Sequence, residues 1–275
     1  MADLIPVSVV VLTRNEAERI ERCLSSLKDF KQVIVLDSLS CDCTLERARE
    51  VWADLDQDPS RLVLLSRDWP GFTKARNESL NWVHENWVVW IDADEWISEE
   101  LANSLRSFDK QQAKVLLLDR QSYFLGHRVK HGGWYPDRKR RVAPAGEAVW
   151  MSGPRSADVH EDLYLKNDLK SEPQLLQGTL FHEPFRNEEE QIETNQEYSS
   201  LLAVGVAEGW REKGRKAPSN LFIALKGVIK FVENFIFKLG ILDGWVGYKI
   251  AKGSAQSMMW RLEKAKKIMI QEKTQ

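Results

Sequence analysis

Four short apolar runs, the first three each followed by a helix-like stretch, constrain this chain more than any other feature. Val7-Ser8-Val9-Val10-Val11-Leu12 opens the series, and Asn15 can cap a helix carrying Ile20, Leu24 and Leu27 on one face. Gln32-Val33-Ile34-Val35-Leu36 ends at Asp37, with Thr44 placed to cap a helix that carries Leu45, Ala48, Val51 and Leu55. Arg61-Leu62-Val63-Leu64-Leu65 comes next, with a helix from Phe72 to His84, and Trp87-Val88-Val89-Trp90-Ile91 is the fourth run. Near-continuous apolar runs are what strands covered on both faces look like. Strands alternating with helices of this length predict βαβ units and a mainly parallel α/β sheet flanked by helices. Lys114-Val115-Leu116-Leu117-Leu118 reads as a further strand, and the sequence from Tyr123 to Arg128 is less regular.

Open α/β sheets place their sites beyond the carboxyl ends of such strands. The fourth run leads straight into Asp92-Ala93-Asp94-Glu95. Two aspartates one residue apart at a strand end can hold a divalent cation that in turn holds phosphates. They can equally be an acidic helix start, because Ser98-Glu99-Glu100 opens a helix. Glycine usage narrows the first reading and leaves the second open. No glycine occurs before Gly71, so the first strand-to-helix turn is neither a dinucleotide fingerprint nor a P-loop. If this fold binds a nucleotide, side chains and a cation hold it. Glu95 keeps the plainer role of a helix-start carboxylate.

Charge separates the chain into two parts. The net charge is −2, yet residues 211–275 hold 14 Lys and Arg against 5 Asp and Glu, a balance of +9. The expectation is an acidic main domain over residues 1–210 and a basic amphipathic helical tail over 211–275. Between Leu221 and Leu242 the sequence is apolar apart from Lys226, Lys230, Glu233, Asn234 and Lys238. Such a face can pack on the body or lie in a membrane interface, and the flanking Trp245, Tyr248 and Trp260 among lysines favour the membrane surface. Nucleic-acid binding is the weakest reading, since the cations are interleaved with a broad apolar face. No run of about 18 uncharged apolar residues predicts a transmembrane helix, and no signal segment precedes Val7. Cys23, Cys41 and Cys43 make neither a disulfide framework nor a zinc site, which suits reduced thiols in a cytosolic protein.

Val9-Val10-Val11-Leu12-Thr13-Arg14-Asn15-Glu16, Val35-Leu36-Asp37-Ser38, Ala75-Arg76-Asn77 and Ile91-Asp92-Ala93-Asp94-Glu95 stand in the order typical of family 2 inverting glycosyltransferases, which the chain resembles over roughly its first 185 residues. Trp134-Tyr135-Pro136-Asp137-Arg138, Val159-His160-Glu161 and Gly244-Trp245 resemble, within that family, the bacterial lipopolysaccharide core glucosyltransferase-like subgroup. The resemblance implies a GT-A fold, a doubly wound α/β domain that binds a nucleotide-sugar, here a UDP-sugar as first choice. It implies that Thr13, Asn15 and Glu16 line the base pocket, that Asp37 contacts uracil or ribose, and that Lys74, Arg76 and Asn77 face the diphosphate and nucleotide. Asp92 then reaches the ribose or a metal-bound water, and Asp94 binds Mg²⁺ or Mn²⁺, with His182 completing the metal or phosphate site. Glu161 takes the place of the base, with Asp162 its competitor, and Trp134, Tyr135, Arg138 and Arg141 hold the acceptor. The run Arg138-Lys139-Arg140-Arg141 is more basic than a neutral sugar needs and suits a phosphorylated or carboxylated acceptor. The implied activity is transfer of a hexose, glucose by the subgroup, to a glycolipid or polysaccharide precursor such as lipopolysaccharide core. Its implied place is the inner face of the cytoplasmic membrane. Two competing readings are a sugar nucleotidyltransferase, which needs a glycine-rich first turn, and an inactive sugar-binding protein of the same fold.

Overall fold

The computed structural model describes residues 3–111, 114–152 and 161–271. In chain order the elements are β1 (Ile5–Thr13), α1 (Ile20–Ser26), β2 (Phe30–Asp37), α2 (Thr44–Asp54), β3 (Leu62–Ser66), α3 (Phe72–Ser79), β4 (Trp87–Asp92), β5 (Glu95–Ile97) and α4 (Glu99–Ser107). Then come β6 (Leu116–Phe124), β7 (His127–Arg128), β8 (Asp137–Pro144), β9 (Ala148–Ser152), β10 (Glu161–Leu165) and β11 (Gln174–His182), and finally α5 (Glu188–Glu212), α6 (Asn220–Val232) and α7 (Gly244–Gln271). These elements divide into two compact units. The first holds residues 3–121, 137–152 and 161–182, and the second residues 122–136 and 183–271.

The first unit is built on a sheet of order β3-β2-β1-β4-β8-β6-β11-β5. Its first four strands are parallel, as the βαβ pattern predicts. β8 joins β4 antiparallel, β6 joins β8 antiparallel, and β5 joins β11 antiparallel. Alternate residues of the parallel strands feed two separate cores. Val9, Val11, Val33, Val35, Val89 and Ile91 pack with α1, α2 and α4, whereas Val10, Ile34, Val88 and Trp90 pack with Ala75 and Trp150 on the other face. Burial on both faces is why these runs lack polar alternation. Each such side chain contributes about 1.5–3 kcal/mol.

Two expected helix caps are placed differently. Asn15 adopts a left-handed φ of 56° and lies five residues before α1, whose cap position is Arg19. Its Oδ1 accepts the Cys41 N–H at 2.9 Å and its own N–H donates to Ser40 Oγ at 2.8 Å, so it ties two loops together. Thr44 is the first residue of α2, not its cap; Asp42 accepts the Thr44 N–H at 3.0 Å, and Thr44 Oγ1 accepts the Glu16 N–H at 2.8 Å. Both side chains accept from loop N–H groups in place of helix N-terminal ones. Ser98 does cap α4, accepting from Leu101 N at 3.1 Å. The helix expected from Phe72 to His84 leaves α geometry after Ser79 and ends in a 3₁₀ turn at Leu80–Trp82.

In the second unit α7 packs along α5 through the small residues Ala203, Ala207 and Ala265, with Met269 beside them. Lys264 Nζ reaches Ser199 Oγ and Ser200 Oγ at 2.7 Å, and Lys249 pairs with Glu188 at 2.7 Å. α6 lays Ile223 and Gly227 inward, and a Cβ on Gly227 would lie 2.6 Å from Met259 Sδ on α7. A π-turn at Glu233–Phe237 and a 3₁₀ turn at Gly240–Asp243 connect α6 to α7. No helix among the described residues is long and apolar enough to cross a membrane.

Candidate active site

The Asp92–Glu95 turn is closed by its own last residue. Glu95, fully buried at the start of β5, accepts the Asp92 N–H on Oε2 at 2.9 Å. Its Oε1 takes Arg120 at 3.0 Å and Arg141 at 3.4 Å. Glu95 is therefore a strand residue inside an ion-pair lattice, and Ser98 does the helix capping that had been assigned to this acidic run. Asp92 Oδ1 receives Arg76 at 3.0 Å and Oδ2 receives Arg141 at 2.7 Å. Arg76, only 4% exposed, reaches Glu161 Oε1 with its other nitrogen at 3.1 Å and lies 4.4 Å over the Trp150 ring. Arg120 also pairs with Asp137 at 2.7 Å.

Charges taken out of water persist only when each is paired and hydrogen-bonded. Burial would push the Asp92 carboxyl up, but the Arg141 and Arg76 guanidinia hold it well below the usual carboxylate range. Burial and the neighbouring Arg141 lower the Arg76 pKa, against the pull of Asp92 and Glu161. Arg141 moves the other way: burial opposes its charge, yet Asp92 and Glu95 raise its pKa.

Asp94 sits at the tip of this turn, with Oδ2 3.4 Å from His182 Nε2. The register of β11 on β5 sets His182 opposite Glu95, which brings the imidazole there from the far end of the sheet. Burial raises the Asp94 pKa, and His182 more than offsets this, leaving it lowered. Asp94 Oδ1 is buried and accepts no hydrogen bond. A carboxylate oxygen without a donor, beside an imidazole, fits a cation as a ligand pair. Among the described residues no group of three or more His, Cys, Asp or Glu forms an all-protein cage. Magnesium sites of nucleotide enzymes commonly use one or two carboxylates plus substrate phosphates.

The other end of the strand row carries Asp37, 2% exposed. It accepts the Ser40 N–H at 2.9 Å and the Ser66 hydroxyl at 3.1 Å, with the Ser40 hydroxyl on its second oxygen. Thr13 pairs in register with Asp37 and leaves a buried, unpartnered Oγ1. Glu16 holds Arg19 at 2.5 Å. A cleft beside Asp37 is lined by Leu36, Ser38, Arg67, Trp69 and Trp82, with Trp69 41% exposed and Arg67 4.3 Å over the Trp82 ring. Sequence reasoning passed over Arg67 and Trp69, although an exposed tryptophan just past a parallel strand end was a usable signal.

Residues 8–152, more than half of the chain, match the profile of Glycosyl transferase family 2. The chain belongs to this family. An uncharacterized glycosyltransferase of Rickettsia bellii (strain RML369-C) is 24% identical over 278 residues, covering 96% of this chain and 87% of that one. The SPbeta prophage-derived glycosyltransferase SunS of Bacillus subtilis (strain 168) is 32% identical over 101 residues, 36% of this chain and 22% of the relative. Among solved structures, S. aureus TarS 1-349 in complex with UDP-GlcNAc aligns over 98% of this chain and 91% of its own, at 14% identity and a TM-score of 0.47. The Pyrobaculum calidifontis mannosyltransferase PcManGT, in complex with GDP-Man and Mn2+, aligns over 90% and 73%, at 18% identity and a TM-score of 0.45.

The remaining residues expected in this family 2 site are distributed as follows. Asn77 is fully engaged: its amide donates to the Trp150 carbonyl and accepts the Trp150 N–H, both at 2.9 Å, so it anchors β9. Lys74 is exposed and pairs with Glu78 at 3.7 Å, apart from the lattice. The basic run Arg138 to Arg141, which holds two of the residues expected to contact the acceptor, lies in strand β8, and its residues have separate surroundings. Arg138 is exposed, Lys139 pairs with Asp137, Arg140 lies 3.6 Å from Asp162, and Arg141 is 4% exposed in the lattice. Trp134 and Tyr135 belong to the second unit, where Trp134 packs against Phe124 and Phe185. Val159 and His160 lie outside the described residues. Glu161 opens β10 and Asp162, beside it, is the more exposed of the two carboxylates.

Proposed function

We propose that this family 2 glycosyltransferase moves a hexose, glucose in the first instance, with inversion from a nucleotide-sugar to an acidic glycolipid or polysaccharide precursor such as lipopolysaccharide core. The nucleotide of first choice is UDP, and the work is done at the inner face of the cytoplasmic membrane, where residues 211–275 supply the association. The observation that carries the reading is the pairing of Arg76 with both Asp92 and Glu161 at the end of the parallel sheet. One buried guanidinium thereby fixes the candidate base relative to the Asp-x-Asp turn.

In this reading Asp37, Thr13, Asn15 and Glu16 form the nucleoside end, and Arg67 and Trp69 extend it. Arg76 Nε and Arg141 Nη1 are buried donors without partners, which suits anionic oxygens entering beside Asp92. Asp94 and His182 are the side chains that would hold Mg²⁺ or Mn²⁺. When bound, the cation offsets the negative charge that grows on the departing diphosphate. Glu161 takes the proton of the acceptor hydroxyl as that oxygen attacks the anomeric carbon from the side opposite the diphosphate. The bond from carbon to diphosphate oxygen breaks in the same displacement, which inverts the centre. Arg76 holds the Glu161 carboxylate in place, and Asp162 is the alternative base. Arg138 on β8 suits an acceptor bearing phosphate or carboxylate. Arg141, being enclosed, is assigned to Asp92 and not to the acceptor.

The test is a screen of UDP-, GDP- and dTDP-sugars for thermal stabilisation with and without Mn²⁺, followed by turnover and product anomer analysis. Metal-dependent stabilisation by a nucleotide-sugar, with inverted product, supports the reading. Stabilisation without any turnover over the acceptor range would leave a sugar-binding protein instead.

A further inference from the structure

Between Leu221 and Trp245 the second unit presents a row of large apolar side chains left exposed among the described residues. Leu221, Val228, Phe237 and Leu242 are 79, 60, 78 and 64% exposed, and Leu225 and Trp245 exceed half. The rest of the basic tail behaves differently. Beyond Tyr248, α7 buries Ile250, Ala255, Leu262 and Met269 within the unit, and Ile270 is the one large apolar residue it exposes among the described residues. Contiguous exposed apolar surface of this extent marks an interaction site.

Charge identifies the partner. Lys226 and Lys238 are exposed among these apolar residues. The one acid of residues 221–242, Glu233, is occupied by Lys238 at 2.6 Å and Lys230 at 3.3 Å. A face of Leu, Ile, Val and Phe bordered by lysines and by Trp245 and Tyr248 matches the apolar and anionic layers of a phospholipid surface. Ordinary protein interfaces are only about 56–58% apolar and carry hydrogen-bonding groups through their area. The surface is also built rigidly. Gly132 N–H donates to the Lys238 carbonyl at 2.8 Å, and Asp243 accepts the backbone N–H groups of Lys130 and His131 at 3.0 and 2.8 Å and pairs with the His131 ring at 2.9 Å.

We infer that α6, the turns after it and the first turn of α7 form a monotopic anchor that inserts into an anionic bilayer surface, while the remainder of α7 stays out of the lipid. This deepens the membrane association proposed above, and it rests on that reading for its biological setting. The test is flotation of the full chain with vesicles of phosphatidylcholine, with and without phosphatidylglycerol. The wild-type chain is expected to float with the phosphatidylglycerol vesicles and to be released by high salt. Phe237→Glu and Leu242→Glu, both at exposed positions, should each weaken flotation by at least about tenfold. Lys267→Glu, on the exposed side of α7, should change it by less than about twofold. Circular dichroism and donor-sugar hydrolysis in solution should be unchanged in all three. Flotation of Phe237→Glu and Leu242→Glu equal to wild type overturns the inference. So does a wild-type chain that fails to float, or a solution dimer that these substitutions split, since the face would then seat a second copy. Absent sugar transfer over the acceptor range, with flotation behaving as stated, removes the transferase reading and leaves the anchor standing.

Discussion

Replacing Glu95 by Gln isolates one charge at the centre of the buried lattice. The amide keeps the shape and can still accept the Asp92 N–H, which lies 2.9 Å from Oε2. What is lost is the attraction to Arg120 at 3.0 Å and to Arg141 at 3.4 Å. At an effective dielectric near 20, each contact is worth about 5 kcal/mol gross. Arginine–arginine repulsion and desolvation remove much of that, and deleting one partner of a buried pair costs about 3–5 kcal/mol net. Arg120 retains Asp137 and Arg141 retains Asp92, which places Glu95→Gln near the low end, about 3 kcal/mol. A helix-start carboxylate in the same position would contribute only about 0.3–1 kcal/mol. Urea unfolding followed by tryptophan fluorescence separates the two. With a slope of about 2–3 kcal/mol/M, the midpoint should fall by about 1 M or more. A fall below about 0.3 M, at unchanged slope, would refute the lattice argument.

Asp94→Asn should lower turnover by about 10²–10³-fold and abolish Mn²⁺-dependent thermal stabilisation by donor; retained turnover removes Asp94 from the metal role. Glu161→Gln should lower kcat by about 10²–10⁴-fold with donor KM nearly unchanged, and if Asp162→Asn does this instead, the base is Asp162. Stability should also fall in acid. Asp92, Asp94 and Asp137 have lowered folded pKa values, so between about 3.9, the unfolded value, and those lower values the unfolded chain binds more protons. Their stabilisation is fully present above about pH 5 and is lost as pH falls below about 4. A melting temperature unchanged from pH 5 to about pH 3 would contradict that sign.

The parallel half of the sheet was readable because Val9, Ile34 and Val88 are buried on faces that leave no room for polar alternation. The antiparallel half was harder, since β6 carries Asp119, Arg120 and Gln121 inside the strand and its apolar run stops at Leu118. Asp94 and His182 were foreseeable as chemistry, and the β11–β5 register brings them together. Glu95 was misread because its partners, Arg120 and Arg141, lie 25 and 46 residues away, while Ser98 offers a local explanation. The same distance hid Arg141. Four consecutive basic residues look like one solvated loop, and only strand geometry reveals that the last of them is enclosed.

Gly247 carries a consequence for exchanging parts between relatives. A Cβ there would overlap the Gly240 carbonyl oxygen, so the connecting turn rests backbone on backbone against α7. Gly132 meets the same turn at Gly240, and its φ of +69° suits glycine. Side-chain repacking has nothing to adjust at the Gly247 join. A chimera that imports a foreign 127–135 loop should therefore carry residues 234–247 of the same donor with it, as a single interchangeable module.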